Sequence, residues 1–174
     1  MLGVVMKAVI VLVMHGAPPN DFPEPDMAEL FGLQARLKRA TDSERVALER
    51  RRLELDAKIR AWPRTAQNDP FYSGSEELAA HVSKVTRCEV ILGFNEFCAP
   101  SLDDALNEAV ARKPEKVIVI TPMMTRGGEH SEVDIPAAVQ TAQTQHPEIP
   151  ILYVWPFKVF EVAKFLGAQI IDFI

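Results

Sequence analysis

Cysteine is scarce in this chain. There are two, Cys88 and Cys98, too few for a disulfide framework and without the CxxC spacing of a structural zinc site; buried, reduced thiols are the expectation. Positive charge is not in excess either. The 19 basic residues face 24 acidic ones, for a formal charge of -5 and a pI near 5.4. Such a balance provides no global field for DNA, RNA or anionic lipid, so an acidic ligand would need a local cluster of cations. No GxxxxGK[ST] run occurs, and Gly127-Gly128 lacks the GxGxxG spacing. ATP-driven chemistry and a flavodoxin-like nucleotide site are therefore disfavoured. Long apolar runs are missing too: Met1 to Met14 is interrupted by Lys7 and is too short to cross a bilayer. With no small-residue cleavage site after it, that stretch reads as a buried first strand of a cytoplasmic protein. No internal repeat or low-complexity segment stands out.

What the chain does contain fits one domain over residues 1–174, with 48% hydrophobic residues to fill its core. Short apolar runs alternate with helical patterns. Ala8–Met14, Glu89–Phe94, Lys116–Thr121 and Ile151–Trp155 read as strands. Helices are expected at Gly74–Val85 with Leu78, Ala79, Val82 and Val85 inward, at Ser101–Arg112 with Ser101 as N-cap, at Glu132–Thr144, and at Val159–Phe173. The rhythm predicts an α/β fold, a four-stranded parallel sheet covered by helices on both faces. The last helix is apolar on more than one side, through Phe160, Phe165, Leu166, Ile170 and Phe173, which suggests burial against both the sheet and a second surface, possible in a homodimer.

Between the first strand and that alternation, Met27–Ala40 and Glu44–Trp62 are highly charged and carry Leu30, Phe31, Leu37, Leu48, Leu55, Ile59 and Trp62 at helical spacing. Asp26 is a candidate cap for the first helix, and Thr41-Asp42-Ser43-Glu44 matches a capping box. An αα-hairpin over residues 27–62, closed by Pro63, follows. It reads either as a solvated decoration or as a lid or dimerisation arm.

Two of the four histidines leave the ends of strands. His15-Gly16 follows the first, and Arg126-Gly127-Gly128-Glu129-His130 follows the third. Open α/β sheets bind their ligands at that edge, although each could be an ordinary loop-end histidine. Imidazole ligates iron, cobalt, nickel and zinc and accepts protons near neutral pH. Glu96, after the second strand, would reach the same edge as a third ligand or base, or stand as a solvated carboxylate. Asp134, four residues beyond His130, could orient its ring or cap the next helix. Arg126 with the backbone N–H groups of Gly127 and Gly128 could bind a carboxylate, or form a plain glycine turn. Met123 and Met124 read as packing or as an apolar wall for a flat macrocycle. His81 and His146 have no claim to chemistry.

These loops resemble the sirohydrochlorin chelatases of the CbiX cobaltochelatase type. The features are His15-Gly16, Glu96-Phe97-Cys98-Ala99-Pro100-Ser101-Leu102, Gly128-Glu129-His130 and Asp134-Ile135-Pro136, spread over about Val9 to Pro156 apart from roughly Pro18 to Gln67. The hairpin would be an insertion. The resemblance implies a chelatase-like doubly wound fold, pairing as a homodimer, and ATP-independent insertion of cobalt, iron or nickel into sirohydrochlorin or a related tetrapyrrole, with no nucleotide cofactor. It implies that His15 and His130 bind the metal and receive pyrrole protons, that Glu96 assists, and that Gly16, Arg126, Gly127 and Gly128 contact substrate. Gly16-Ala17-Pro18, where relatives commonly have Gly-Ser-Arg, and Glu129 depart from the pattern, and the family's last-loop histidine has no counterpart in Pro156-Phe157-Lys158-Val159. A non-catalytic carrier or sensor of metal or tetrapyrrole is the alternative.

Overall fold

A computed structural model describes residues 8–174. Of the expected first strand, residues 1–7 lie outside the described part. Val9–Met14 forms β1, and Glu89–Phe94, Val117–Ile120 and Ile151–Tyr153 form β2, β3 and β4. All pairings are parallel, in the order β2-β1-β3-β4. Every residue of β1 is buried, which is why its sequence is continuously apolar rather than alternating.

The helices are α1 (Glu24–Leu37), α2 (Asp42–Arg60), α3 (Pro70–Thr86), α4 (Leu102–Ala111), α5 (Ile135–Gln145) and α6 (Val159–Ile170). Val9, Val11 and Val13 point to the face covered by α4 and α5, joined there by Val117 and Val119. Leu12 and Met14 point the other way and pack with Ala79 of α3. The sheet is thus covered on both faces, as the alternation of strand and helix requires. No helix among the described residues is long and apolar enough to cross a membrane.

Several expectations need correction. Helix α1 starts at Glu24, with Pro23 rather than Asp26 at the N-cap and Pro25 inside the first turn, a place where proline's missing N–H costs nothing. Helix α3 starts four residues early because the Asp69 carboxylate accepts the Tyr72 N–H. Its inward face is Ser75 and Ala79; Leu78 and Val85 are exposed. Helix α6 has no buried residue, so its apolar sides do not pack into the sheet. Cys98 is buried, and burial pushes its thiol up, away from the reactive thiolate, whereas Cys88 is only partly covered.

The hairpin has a thin core of its own. Leu30, Leu33, Leu55 and Ile59 pack with Phe22 and with Phe97 from the loop after β2. Glu44 accepts the Thr41 N–H at 3.1 Å, the reach-back half of the capping box. Phe31, expected in the stripe, is instead half exposed. Ion pairs from Arg51 to Glu29 and from Lys58 to a half-buried Asp26 join the helices outside the core.

Candidate metal centre

Three loops meet at the carboxyl edge of the sheet. Because β1 lies between β2 and β3, the chain leaves it toward one neighbour and later returns to the other, and ligands of open sheets bind where the order reverses. His15 follows β1, Glu96 follows β2, and His130 ends the loop after β3.

The first two loops are locked by backbone contacts. Asn95 N–H donates to the Met14 carbonyl at 3.0 Å and Glu96 N–H to the His15 carbonyl at 2.9 Å. Gly16 sits at φ +96°, and a Cβ there would lie 1.8 Å from the Glu96 carbonyl oxygen. Only glycine fits that approach. Gly16 therefore brings His15 and Glu96 together, a role in addition to the substrate contact implied by the resemblance.

The third loop enters α5 through a π turn, His130–Asp134. The Ile135 N–H reaches back to the His130 carbonyl, and Pro136, which follows, has no N–H to offer an α-helical bond. Wide turns of this kind recur at functional sites. Here the turn brings the Asp134 carboxylate to His130 Nδ1 at 2.6 Å. Asp134 makes no capping bond to α5, so of its two readings the ring-orienting one holds.

These contacts assign the tautomers. A carbonyl or carboxylate oxygen can only accept, so His130 Nδ1 donates to Asp134 and His15 Nδ1 donates to the Gly16 carbonyl at 2.8 Å. In the neutral rings this leaves both Nε2 lone pairs free for a ligand. The rings meet edge to face, centroids 4.6 Å apart, and His130 Nε2 lies 4.0 Å from Glu96 Oε2. Among the described residues, His15, Glu96 and His130 each offer one ligand atom, all within 4.8 Å of one another. Two imidazoles and a carboxylate suit a divalent transition metal, with Asp134 as the outer partner that fixes one ring.

Other expected site residues fare differently. Arg126 pairs with Glu132, Nε to Oε1 at 3.2 Å, and a hydrogen bond from the Gly127 backbone followed by that arginine holds the Glu132 carboxyl below the usual range. The chain's own carboxylate thus occupies the cradle expected for a substrate, and a ligand would have to displace it. Gly128 carries the Ser131 hydroxyl on its carbonyl at 3.2 Å. Met123 packs against the core and Met124 lines a groove beside α6, so neither walls the metal centre. His81 is exposed and His146 ends α5, away from the site.

Sequence reasoning missed the braces. The Tyr153 hydroxyl donates to the Ser131 carbonyl at 3.0 Å, holding the π turn from β4. Arg60 donates to the carbonyls of Asn95 and Cys98 on either side of Glu96. Arg64 is buried and donates to the carbonyls of Ala17, Ile59 and Phe97 while pairing with Asp69. The signal of the two arginines was faint, since a cation at or just beyond a helix end reads as solvated until a loop folds over it.

Comparison with known proteins gives this geometry a context. A sequence model of the CbiX family matches residues 67–161. The chain belongs to the CbiX family. That match includes Glu96, His130 and Asp134 and stops short of His15, which joins the centre by geometry. Over 70 residues this CbiX-family chain is 34% identical to the sirohydrochlorin cobaltochelatase of Priestia megaterium, covering 40% of the chain but only 22% of that enzyme. It therefore aligns with about a fifth of the curated relative's length. Among solved structures, a cobalamin (vitamin B12) biosynthesis CbiX protein from Marinobacter aquaeolei VT8 is 15% identical, with a TM-score of 0.47, over 95% of this chain and 98% of that one. The sirohydrochlorin chelatase SirB from Bacillus subtilis subspecies spizizenii in complex with cobalt is 18% identical, with a TM-score of 0.45, over 87% of this chain and 44% of that one.

Proposed function

We propose that this chain is a metal chelatase that inserts a divalent ion, cobalt, iron or nickel, into sirohydrochlorin or a related tetrapyrrole, without ATP, in cobalamin- or siroheme-type biosynthesis. The observation that carries the reading is the convergence of His15, Glu96 and His130 on one small volume at the sheet's switch point, with both Nε2 lone pairs free. Membership in the CbiX family supports it.

The metal is a substrate here. The two Nε2 atoms and a Glu96 oxygen hold the ion at the mouth of the cleft, where an incoming macrocycle meets it. As the metal passes to the pyrrole nitrogens, two N–H protons leave the ring. The lone pairs that the departing metal vacates are the nearest bases, so His15 and His130 take up those protons and release them to solvent. Asp134 supports His130 in both states, because a carboxylate at Nδ1 strengthens Nε2 as a ligand and stabilises the imidazolium that follows.

In this reading residues 1–174 form one chelatase-like domain into which the hairpin is inserted. The chain acts in the cytoplasm, in keeping with its free cysteines. It pairs as a homodimer through α6 and β4, supported by the exposure of Leu152, Val154, Phe160, Phe165, Leu166 and Ile170.

The test is an anaerobic absorbance assay with sirohydrochlorin and each metal in turn. Wild-type protein should convert the spectrum faster than the uncatalysed reaction, and His15→Ala and His130→Ala should each lose about 10²–10⁴-fold of that rate while remaining folded. A bound but unconverted spectrum would replace the enzyme with a carrier.

A further inference from the structure

The metal centre forms one wall of a cleft of about 640 Å³, and the hairpin forms the other. The charges on the two walls have opposite sign. On the sheet side Glu96, Glu129 and Asp134 line the cleft with His130; on the hairpin side stand Lys38, Arg39 and Arg52, together with Gln34 and Phe31. Arg52 is committed to Glu49, Nη2 to Oε1 at 2.6 Å. Lys38 and Arg39, in contrast, make no ion pair with any described residue. On a chain of net charge -5 in which Arg50, Arg51, Arg52 and Arg60 of α2 are paired with acids, two free cations facing a cleft are a local anion site.

From this arrangement we infer that Lys38 and Arg39 bind the peripheral carboxylates of the macrocycle, so that the hairpin selects a ligand with an acidic rim while the sheet edge handles the metal. The inference rests on the tetrapyrrole reading of the cleft and extends it to a specificity determinant outside the residues 67–161 that match the family. Phe31 supplies the complementary feature. It is half exposed, and its ring is held edge to face against Phe97, centroids 6.2 Å apart, offering an apolar surface to the face of a flat ring whose edge is charged. The hairpin stays in place because its core includes Phe97, one residue from Glu96, so the distance between cation wall and metal wall is built into the fold. Glu129 opposes the same anions and limits their affinity from the other side.

The test is fluorescence titration of the metal-free protein with uroporphyrin, which carries carboxylates around its whole rim, and with coproporphyrin, which has half as many. The double variant Lys38→Gln/Arg39→Gln should weaken uroporphyrin binding at least about tenfold at low salt and flatten its salt dependence, with a smaller loss for coproporphyrin. Glu129→Gln should tighten it. Melting temperature and cobalt affinity should not change in the double variant, because both side chains are exposed and belong to the opposite wall. If the double variant binds uroporphyrin like wild type while metal insertion proceeds, the hairpin assignment is wrong and the chelatase reading stands. If wild-type protein inserts no metal but binds uroporphyrin through these two cations, the assignment stands and the chelatase reading fails. Absence of uroporphyrin binding in wild type would overturn the assignment.

Discussion

The sheet edge and the hairpin face each other across one cleft, yet different forces hold them. At the edge, loop positions follow from a central strand, β1, whose residues are wholly buried, from backbone hydrogen bonds between neighbouring loops, and from a glycine that no other residue can replace. The hairpin depends on a handful of buried apolar side chains and on surface ion pairs, which contribute little individually. Close-packed interiors transmit error as strain, so a site that must place three ligand atoms within a few ångströms belongs on the rigid wall. A wall that only collects carboxylates tolerates looser support, because long cationic side chains adapt their reach.

Arg64 is where the two regions are tied, and removing it should give the largest effect. Its guanidinium holds the end of α2, the His15 loop and the Glu96 loop together, against a buried Asp69. Arg64→Ala leaves that carboxylate buried without its partner, at a cost of about 3–5 kcal/mol. Urea denaturation should report that loss, and hydrogen exchange should show protection falling over residues 24–60 more than in β1 and β3. Equal loss of protection in both regions would mean that hairpin and sheet are one cooperative unit, with no difference in rigidity between the two walls.

This distinction also explains what could be read from the chain alone. β2 and the Ser101 cap appear where their residues put them, and strand-end histidines could be assigned to one edge because parallel topology leaves few alternatives. The pairing of His130 with Asp134 was half legible. Spacing allowed it, but the π turn that selects it depends on Pro136 withholding an N–H in a particular register. The roles of Phe31, Lys38 and Arg39 were not legible, since amphipathic period assigns a helix face and not the element that face will meet. Helix α6 failed for a related reason: breadth of apolar surface states that something covers the helix, without saying that the sheet of the same chain does.

Asp134→Asn probes the rigid wall at one charge. The change keeps the shape of the side chain and removes the charge that fixes His130 Nδ1–H. Metal affinity should fall about 10- to 100-fold, measured by calorimetric titration with cobalt, while uroporphyrin binding, relieved of one carboxylate on the opposite wall, should not weaken. Unchanged cobalt affinity would show that the turn alone, without the carboxylate, orients the ring.

The smallest effect should come from Tyr153→Phe, which deletes the hydroxyl that holds the Ser131 carbonyl from β4. One hydrogen bond to a buried carbonyl is worth about 1 kcal/mol, and the π turn keeps its own backbone bonds, so cobalt affinity should shift less than in Asp134→Asn. The phenol also has a pH signature. Burial, with a smaller contribution from Glu132, pushes its pKa from 10.0 up to about 12. A pKa raised on folding means that the unfolded chain loses its proton first, so the stabilisation is complete below pH 10 and is lost as the pH rises toward 12. The stability difference between wild type and Tyr153→Phe should therefore be flat from neutral pH to about pH 9 and shrink above pH 10. A difference that changes already around neutrality would place the coupling with another group and remove Tyr153 from the supports of the histidine wall.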